Sequence, residues 1–162
     1  MDGFFQMIEE QVYNDDDVRL SMELLFYAYR DFIGPPDEIL KEHKFGRAHH
    51  RVIHFVGRNP GITVRGLLSI LRITKQSLSR VLSDLLREGI VKQDQGREDR
   101  RERLLSLTKK GREFEVDVSQ SQRDMIRKSF GSAGPAAVEG FQKVLLGMIS
   151  DPADVQKFQI EG

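Results

Sequence analysis

The sequence of 162 residues contains no cysteine and no tryptophan. The absence of cysteine excludes a disulfide framework, a thiolate metal site and a thiol-based redox switch. The chain also lacks an apolar run of the roughly 20 residues that cross a bilayer. It begins with Met1-Asp2-Gly3-Phe4-Phe5, which offers no basic segment before an apolar stretch, as a secretory signal would. These absences predict a cytoplasmic protein without a membrane partner.

A net charge is also missing, because 25 Lys and Arg residues balance 25 Asp and Glu residues. The charges are nevertheless unevenly distributed: residues 1–71 carry −3, residues 72–112 carry +6 and residues 113–162 carry −3. A basic segment between acidic segments is typical of a surface that contacts phosphate groups. On charge alone, a solvated face of an ordinary charged protein is the alternative.

Apolar periodicity and turn residues predict three helices in the first part of the chain. Apolar residues at every fourth position indicate a short amphipathic helix over residues 3–13. An acidic run precedes a second helix, which is expected over about residues 18–33 and is expected to end at Gly34-Pro35-Pro36. A third helix, broken near Phe45-Gly46, is expected over residues 38–57.

The middle of the chain predicts two short helices followed by a hairpin. Thr63 and Thr74 are candidate N-caps of the two helices, and Gly89 is a candidate C-cap of the second. The two strands of the hairpin are expected at residues 90–92 and 103–107. Helix, tight turn, helix and basic hairpin, in this order, are the ingredients of a winged helix-turn-helix.

Two more helices are expected in the last third of the chain. Thr108 is a candidate N-cap of a long helix that runs to about Phe130. Glycines in residues 131–134 should interrupt it, and Pro135 suits the first position of a strongly apolar helix over residues 135–149.

Candidate DNA contacts lie on the second short helix and on the hairpin. Gln76 can pair with an adenine edge, and Arg80 with a guanine edge or a phosphate. Arginines at the hairpin tip suit a narrow minor groove, and a nearby carboxylate can hold such an arginine in place. The alternatives are an ordinary exposed helix and a loop whose own acids neutralise its arginines. The helix candidates are Thr74, Lys75, Gln76, Ser77, Ser79 and Arg80, and the hairpin candidates are Arg97, Asp99, Arg100, Arg101 and Arg103.

Four segments together resemble the MarR family (multiple antibiotic resistance regulator), over roughly residues 20–150. They are Ile73-Thr74-Lys75-Gln76-Ser77-Leu78-Ser79-Arg80, Leu85-Leu86-Arg87-Glu88-Gly89-Ile90-Val91, Asp99-Arg100-Arg101 and Leu107-Thr108-Lys109-Lys110-Gly111. The resemblance implies that residues 74–80 contact the major groove. It also implies that Arg101 reaches the minor groove while Asp99 orients it.

The expected fold is therefore mainly α with a small β-wing, a winged helix-turn-helix with N- and C-terminal dimerisation helices. The resemblance implies a two-fold homodimer, built from the first and last helices, that binds a pseudo-palindromic operator in double-stranded DNA. Residues 1–37 are expected to form an arm and a dimerisation helix, residues 38–110 the DNA-binding lobe, and residues 111–162 the C-terminal dimerisation helices.

The function expected from this pattern is transcriptional regulation, and more often repression than activation. The alternative is a winged-helix module that binds a protein and does not recognise a DNA sequence. An enzyme is not expected, because the chain shows no phosphate-cradling glycine loop and no convincing pairing of a nucleophile with a base.

A small acidic or phenolic effector is expected between the dimerisation helices and the DNA-binding lobe, as in similar proteins. Core packing and solvated charge are the alternative for its five candidate residues, which are Tyr27, Arg30, Arg47, His50 and Phe114. His50 and His54 share a helix face, but no third ligand stands at a convincing spacing, with His43 or a carboxylate as the remaining options. No metal and no cofactor are therefore predicted.

Overall fold

The computed structural model describes residues 13–158, so all but the last residue of the helix predicted over residues 3–13 lies outside the described part of the chain. The described residues form seven helices and three strands. In chain order these are α1 (Asp15–Glu42), α2 (Arg47–Arg58), β1 (Ile62–Thr63), α3 (Val64–Leu71), α4 (Lys75–Arg87), β2 (Val91–Gln95), β3 (Arg103–Leu107), α5 (Lys109–Ala133), α6 (Pro135–Met148) and α7 (Pro152–Gln156).

Helix α1 is longer than the sequence predicts, because the expectation that Gly34-Pro35-Pro36 ends it is wrong. The helix continues through both prolines to Glu42. Proline in a helix interior removes a hydrogen bond and costs about 3 kcal/mol, but here the continuation buries Pro36 and Leu40 in the core. The chain turns after Glu42, and α2 begins after Gly46, so the predicted break near Phe45-Gly46 is confirmed.

The backbone carbonyl that Pro36 deprives of its helical donor has another partner. In a regular helix the N–H of residue 36 would bond to the carbonyl of Phe32, and Pro36 has no N–H. The side-chain amide of Gln122 on α5 donates to this carbonyl at 3.2 Å. A contact between segments 90 residues apart thus compensates part of the local penalty.

The caps predicted for α3 and α4 are confirmed. The Thr63 hydroxyl accepts from the backbone N–H of Gly66 at 3.0 Å, and that of Thr74 accepts from the N–H of Ser77 at 3.1 Å. Gly89 follows the end of α4 with φ at +68°, a left-handed conformation that glycine adopts without steric cost.

The three strands form an antiparallel sheet in the order β1-β3-β2. Strand β3 matches its predicted range, whereas β2 extends beyond residue 92 to Gln95. The register places Val91 opposite Leu107. Strand β1 was not predicted, because two residues are too few for a periodicity to be recognised.

The core is a single cluster of apolar side chains from α1 to α5 and the sheet. Buried residues are supplied by helices α1 to α5 and by strands β2 and β3. The most enclosed include Leu40, Ile53, Leu67, Leu78, Leu85, Leu105 and Val118. This cluster fixes the lobe that carries α4 and the hairpin.

The described residues divide into two compact units, one up to Gln122 and one from Arg123 onwards. In the second unit, α5 ends at Ala133, three residues beyond the predicted end, and Pro135 begins α6 as predicted. Helix α7, which was not predicted, is capped by Asp151, whose carboxylate accepts from the N–H of Ala153 at 2.9 Å. No helix among residues 13–158 is long and apolar enough to cross a bilayer.

Gly111 in the first turn of α5 lies against the backbone of Ile90, and a Cβ there would overlap the Ile90 carbonyl oxygen. Gly111→Ala is therefore expected to lower the free energy of unfolding by about 1–3 kcal/mol, because the backbone rather than a flexible side chain must move. Chemical denaturation measures the change.

The matched control is Gly131→Ala in the same helix, where a Cβ meets nothing within 4 Å. Alanine there is expected to stabilise by about 0.5–1 kcal/mol, since glycine is unfavourable inside a helix. Equal effects at the two positions would contradict the close approach at Gly111.

Candidate nucleic-acid interface

Helix α4 separates its buried residues from its candidate DNA contacts. Its inward stripe, formed by Leu78, Val81, Leu82 and Leu85, is buried in the core. The six candidates from residue 74 to residue 80 are all exposed. The helix is therefore held from one side and presents the other to solvent.

Five of the six candidates fall into two groups by their hydrogen bonds. Thr74 and Ser77 serve the helix itself, because the Thr74 hydroxyl also donates to the Ser77 hydroxyl at 2.8 Å. Within residues 13–158, the side chains of Lys75, Gln76 and Arg80 have no partner. These three are free to bind an external group.

The tip of the β2–β3 hairpin is a tight turn closed by backbone hydrogen bonds. The Gly96 N–H donates to the Glu102 carbonyl at 2.9 Å, and the Glu102 N–H donates to the Asp99 carbonyl at 3.1 Å. A Cβ on Gly96 would overlap the Asp99 carbonyl oxygen, so a side chain there would open the turn.

The acids of the tip do not neutralise its arginines. The Asp99 carboxylate accepts from the backbone N–H of Arg101 at 2.9 Å, so its contact is with the main chain. Over the described range, Arg97, Arg100 and Arg101 form no ion pair and are exposed. Arg103 begins β3 opposite Gln95. The tip thus presents exposed guanidinium groups that form no ion pair with any described residue.

A cavity of about 240 Å³ lies between α1 and α2 in the first unit. Of the five candidate effector residues, Arg47 and His50 line it. The other three do not: Arg30 lies over the Tyr27 ring at 4.7 Å on the surface of α1, and Phe114 is buried against Phe45. The five residues therefore do not form one pocket.

Sequence reasoning missed the aromatic and basic residues that complete this cavity. From α1 these include Tyr29 and Phe32, and from α2 they include Arg51, His54 and Phe55. The spacing of 47, 51 and 55 on α2 indicates one helix face. The shared face of these α2 residues could be predicted from their spacing. The packing of α1 against this face could not.

The charges around the cavity are partly compensated. The Arg47 guanidinium donates to both carboxylate oxygens of Asp37, and its Nη2 lies 2.9 Å from Oδ2. This bond raises the pKa of Arg47. In the described chain Arg51 forms no ion pair. Burial, reinforced by the neighbouring His54, lowers the pKa of His50, so this imidazole is neutral at pH 7.

No group of three or more His, Asp and Glu side chains within the described residues is arranged to hold a metal ion. His50 and His54 instead both line the cavity.

Two helices joined by a short turn, followed by a hairpin with exposed arginines, define a winged helix-turn-helix protein. A family model for the MarR family matches residues 43–102. The chain is also 49% identical over 146 residues to the HTH-type transcriptional regulator PetP of Rhodobacter capsulatus, covering 90% of this chain and 87% of that protein. The chain therefore belongs to the MarR family, and it is a transcriptional regulator and not an enzyme.

Solved structures share the fold and confirm the predicted fold class. FabT of Streptococcus pneumoniae in complex with DNA matches with a TM-score of 0.69 at 21% identity, over 81% of this chain and 94% of that chain. A mutant of MarR from E. coli complexed with operator DNA matches with a TM-score of 0.62 at 18% identity, over 83% and 97% of the two chains.

The lowered pKa of His50 predicts how stability depends on pH. The unfolded chain takes up a proton at this residue near its ordinary pKa of 6.5, while the folded chain binds it only at lower pH. Because the unfolded state then binds more protons, the free energy of unfolding falls as the pH decreases through this range. His50→Gln is expected to flatten this decrease between about pH 7.5 and 5.5.

Urea denaturation at a series of pH values measures the effect. At about pH 8 His50 is neutral in both the folded and the unfolded chain, so the difference between the wild type and His50→Gln at this pH gives the packing cost of the substitution alone. The additional difference at lower pH is the contribution of the His50 proton. An identical pH dependence in both proteins would contradict the assignment.

Proposed function

We propose that this protein is a homodimeric repressor that binds a pseudo-palindromic DNA operator and releases it when a small acidic or phenolic molecule binds. The observation that carries the proposal is that one lobe combines an exposed polar helix with a wing whose arginines are exposed and form no ion pair within residues 13–158. Two of the structural relatives were solved with DNA, one of them with operator DNA. Their fold is this chain's fold.

Base recognition is assigned to the first half of α4. A helix about 10–12 Å wide enters the major groove, which is about 12 Å wide. Gln76 and Arg80 are exposed on this half and carry the groups that bind adenine and guanine edges. Lys75, which lies beside them, offers an ammonium group to phosphate.

The wing is assigned to the minor groove. Arg100 and Arg101 are exposed at a narrow tip whose turn is braced by Asp99. A guanidinium group gains more in a narrow minor groove, where the negative potential is enhanced, than at an ordinary surface. Holding the backbone in advance reduces the entropy that binding costs.

Exposed apolar helices support a dimer. Leu20, Met22, Leu24 and Phe26 on α1 are 55–66% exposed. Helix α6 has no buried residue, although it carries Phe141 and Val144. Apolar surface of this extent usually marks an interface, and a second copy is the partner that closed two-fold symmetry provides. A dimer also presents two recognition helices to successive major grooves, about 34 Å apart.

The cavity between α1 and α2 supports a small effector. Its volume of about 240 Å³ suits a molecule of one aromatic ring. Tyr29, Phe32 and Phe55 supply apolar surface, and Arg51 supplies a cation that Asp37 does not already neutralise.

In a mobility-shift assay, benzoate as a probe of this class is expected to release the DNA.

Arg101→Ala tests the DNA-binding assignment. Operators are first obtained by in-vitro selection on the wild-type protein. The variant is expected to bind them more weakly by about 1–3 kcal/mol, and the slope of log affinity against log salt should fall by about 1 if a phosphate contact is lost. Mobility-shift titrations at several salt concentrations measure both.

The matched control is Lys157→Ala, which removes a cation that follows α7 and pairs with Asp154. It should leave the affinity unchanged. Unchanged affinity of Arg101→Ala at matched salt would remove this residue from the interface. A wild-type protein that selects no sequence would favour the protein-interaction module instead.

Truncation after Ala133 tests the dimer. Removing α6 and α7 is expected to give a monomer in analytical ultracentrifugation, because the exposed apolar face of α6 is lost. Truncation after Asp151, which removes α7 alone, should leave the dimer intact. A stable dimer without α6 would show that the interface lies elsewhere.

A further inference from the structure

His49 is a histidine that neither the wing, the cavity nor the recognition surface uses, although it is well enclosed. It lies in the first turn of α2, and its side chain is 14% exposed. Its Nε2 lies 2.9 Å from a carboxylate oxygen of Asp84 on α4, across a separation of 35 residues. A hydrogen bond therefore joins the first helix of the lobe to the helix assigned to base recognition.

The two ring nitrogens of His49 have fixed roles. The backbone N–H of Gly46 donates to Nδ1 at 3.0 Å, so Nδ1 must be the unprotonated nitrogen. The proton of the neutral ring is then on Nε2, which donates it to Asp84. Both nitrogens are satisfied in one tautomer, which gives the bond to Asp84 a defined direction.

The ring is also held by aromatic packing. His49 stacks on Phe45 with centroids 4.8 Å apart, and Phe45 meets the edge of Phe114 at 5.8 Å. Phe45 and Phe114 are buried and Phe114 belongs to α5. The His49 ring is therefore positioned by the core as well as by its own helix.

Asp84 is equally constrained. Its Oδ2 accepts from His49, and its Oδ1 accepts from Nη2 of Arg87 at 2.8 Å. The bond from His49, followed by that from Arg87, lowers the pKa of Asp84, so it is a carboxylate at neutral pH. Charge-assisted bonds of this kind are stronger than bonds between neutral groups.

The position of Asp84 on α4 determines what this bond controls. Asp84 follows Arg80 by four residues and Ser77 by seven, so the three lie along one stripe of the helix. The buried apolar stripe packs α4 against the core, and the bond from His49 adds a directional contact between α4 and α2. A rotation of about 20° would move side-chain atoms about 2 Å, since they lie some 5–6 Å from the axis. Hydrogen bonds to bases tolerate only a few tenths of an ångström.

We infer that His49 is a positioning residue, which acts through Asp84 to fix the rotation of α4 and hence the direction in which Arg80 and Gln76 face the bases. The inference rests on the proposed function, in that α4 reads DNA. It assigns to His49 an effect on sequence discrimination and not on attraction to phosphate, because the charge of the interface does not change.

The test uses two isosteres of the imidazole in the full-length chain. His49→Asn keeps an acceptor for the Gly46 N–H and loses the donor to Asp84, whereas His49→Gln keeps an amide donor in the place of Nε2. Affinities are measured by mobility shift, at one salt concentration, for a selected operator and for a scrambled duplex. A destabilised control, Val118→Ala, removes buried methyl groups on α5 far from this bond in sequence.

His49→Asn is expected to weaken operator binding about tenfold or more, the size of one base contact, with the scrambled duplex unaffected. Asp84→Ala should lower the ratio of operator to scrambled affinity by a similar factor, while the loss of its negative charge raises the affinity for both duplexes. The double variant should lower this ratio no further than either single one, since both remove the same bond. His49→Gln should recover most of the discrimination, and Val118→Ala should keep it. The inference would be overturned if His49→Asn left the ratio of operator to scrambled affinity unchanged, or if it weakened binding to both duplexes equally. It would also be overturned if His49→Gln did not restore this ratio.

A measurement without DNA separates this inference from the proposed function. In ¹H–¹⁵N NMR spectra, His49→Asn is expected to shift the amides of residues 75–80, and Val118→Ala is not. Unshifted amides in this segment would overturn the inference even if the protein binds DNA. A wild-type protein that discriminates no duplex would overturn the proposed function and with it the role of His49 in recognition.

Discussion

The junction between α4, β2 and the start of α5 is the constraint on which the lobe depends. The Thr108 hydroxyl donates to the Gly89 carbonyl at 2.6 Å and accepts from the Gly111 N–H at 2.9 Å. One side chain thus caps α5 and holds the turn that ends α4. Gly111 lets the two backbones approach closely enough for both bonds. The end of α4 and the first turn of α5 are therefore joined directly through this one hydroxyl.

Much of this arrangement could be predicted from the sequence because its signals are local. The hydroxyls of Thr74 and Thr108 each accept from the backbone N–H three residues ahead and so cap α4 and α5. Gly89 adopts the left-handed conformation that ends α4. Such bonds depend on a few neighbouring residues, so residue type and spacing are enough to recognise them. The basic segment that contains the wing could also be recognised, because charge is counted directly along the sequence.

The features that the sequence did not predict depend on distant contacts. Pro36 is tolerated inside α1 because Gln122 and the core compensate for it, and His49 has its role because Asp84 lies 35 residues away. The wing shows a subtler case. The resemblance implies that Asp99 orients Arg101, with arginines neutralised by the acids of the loop as the alternative. The Asp99 carboxylate instead accepts from the backbone N–H of Arg101. Composition does not distinguish these two uses of one acid.

The prolines of α1 also have a consequence for how the chain folds. An isolated segment containing them would lose helical hydrogen bonds and gain nothing in return, so the second half of α1 should not persist alone. In the folded chain the carbonyl of Phe32 accepts from Gln122, which the ribosome adds 90 residues later. The second half of α1 therefore depends for its stability on segments that are synthesised well after it.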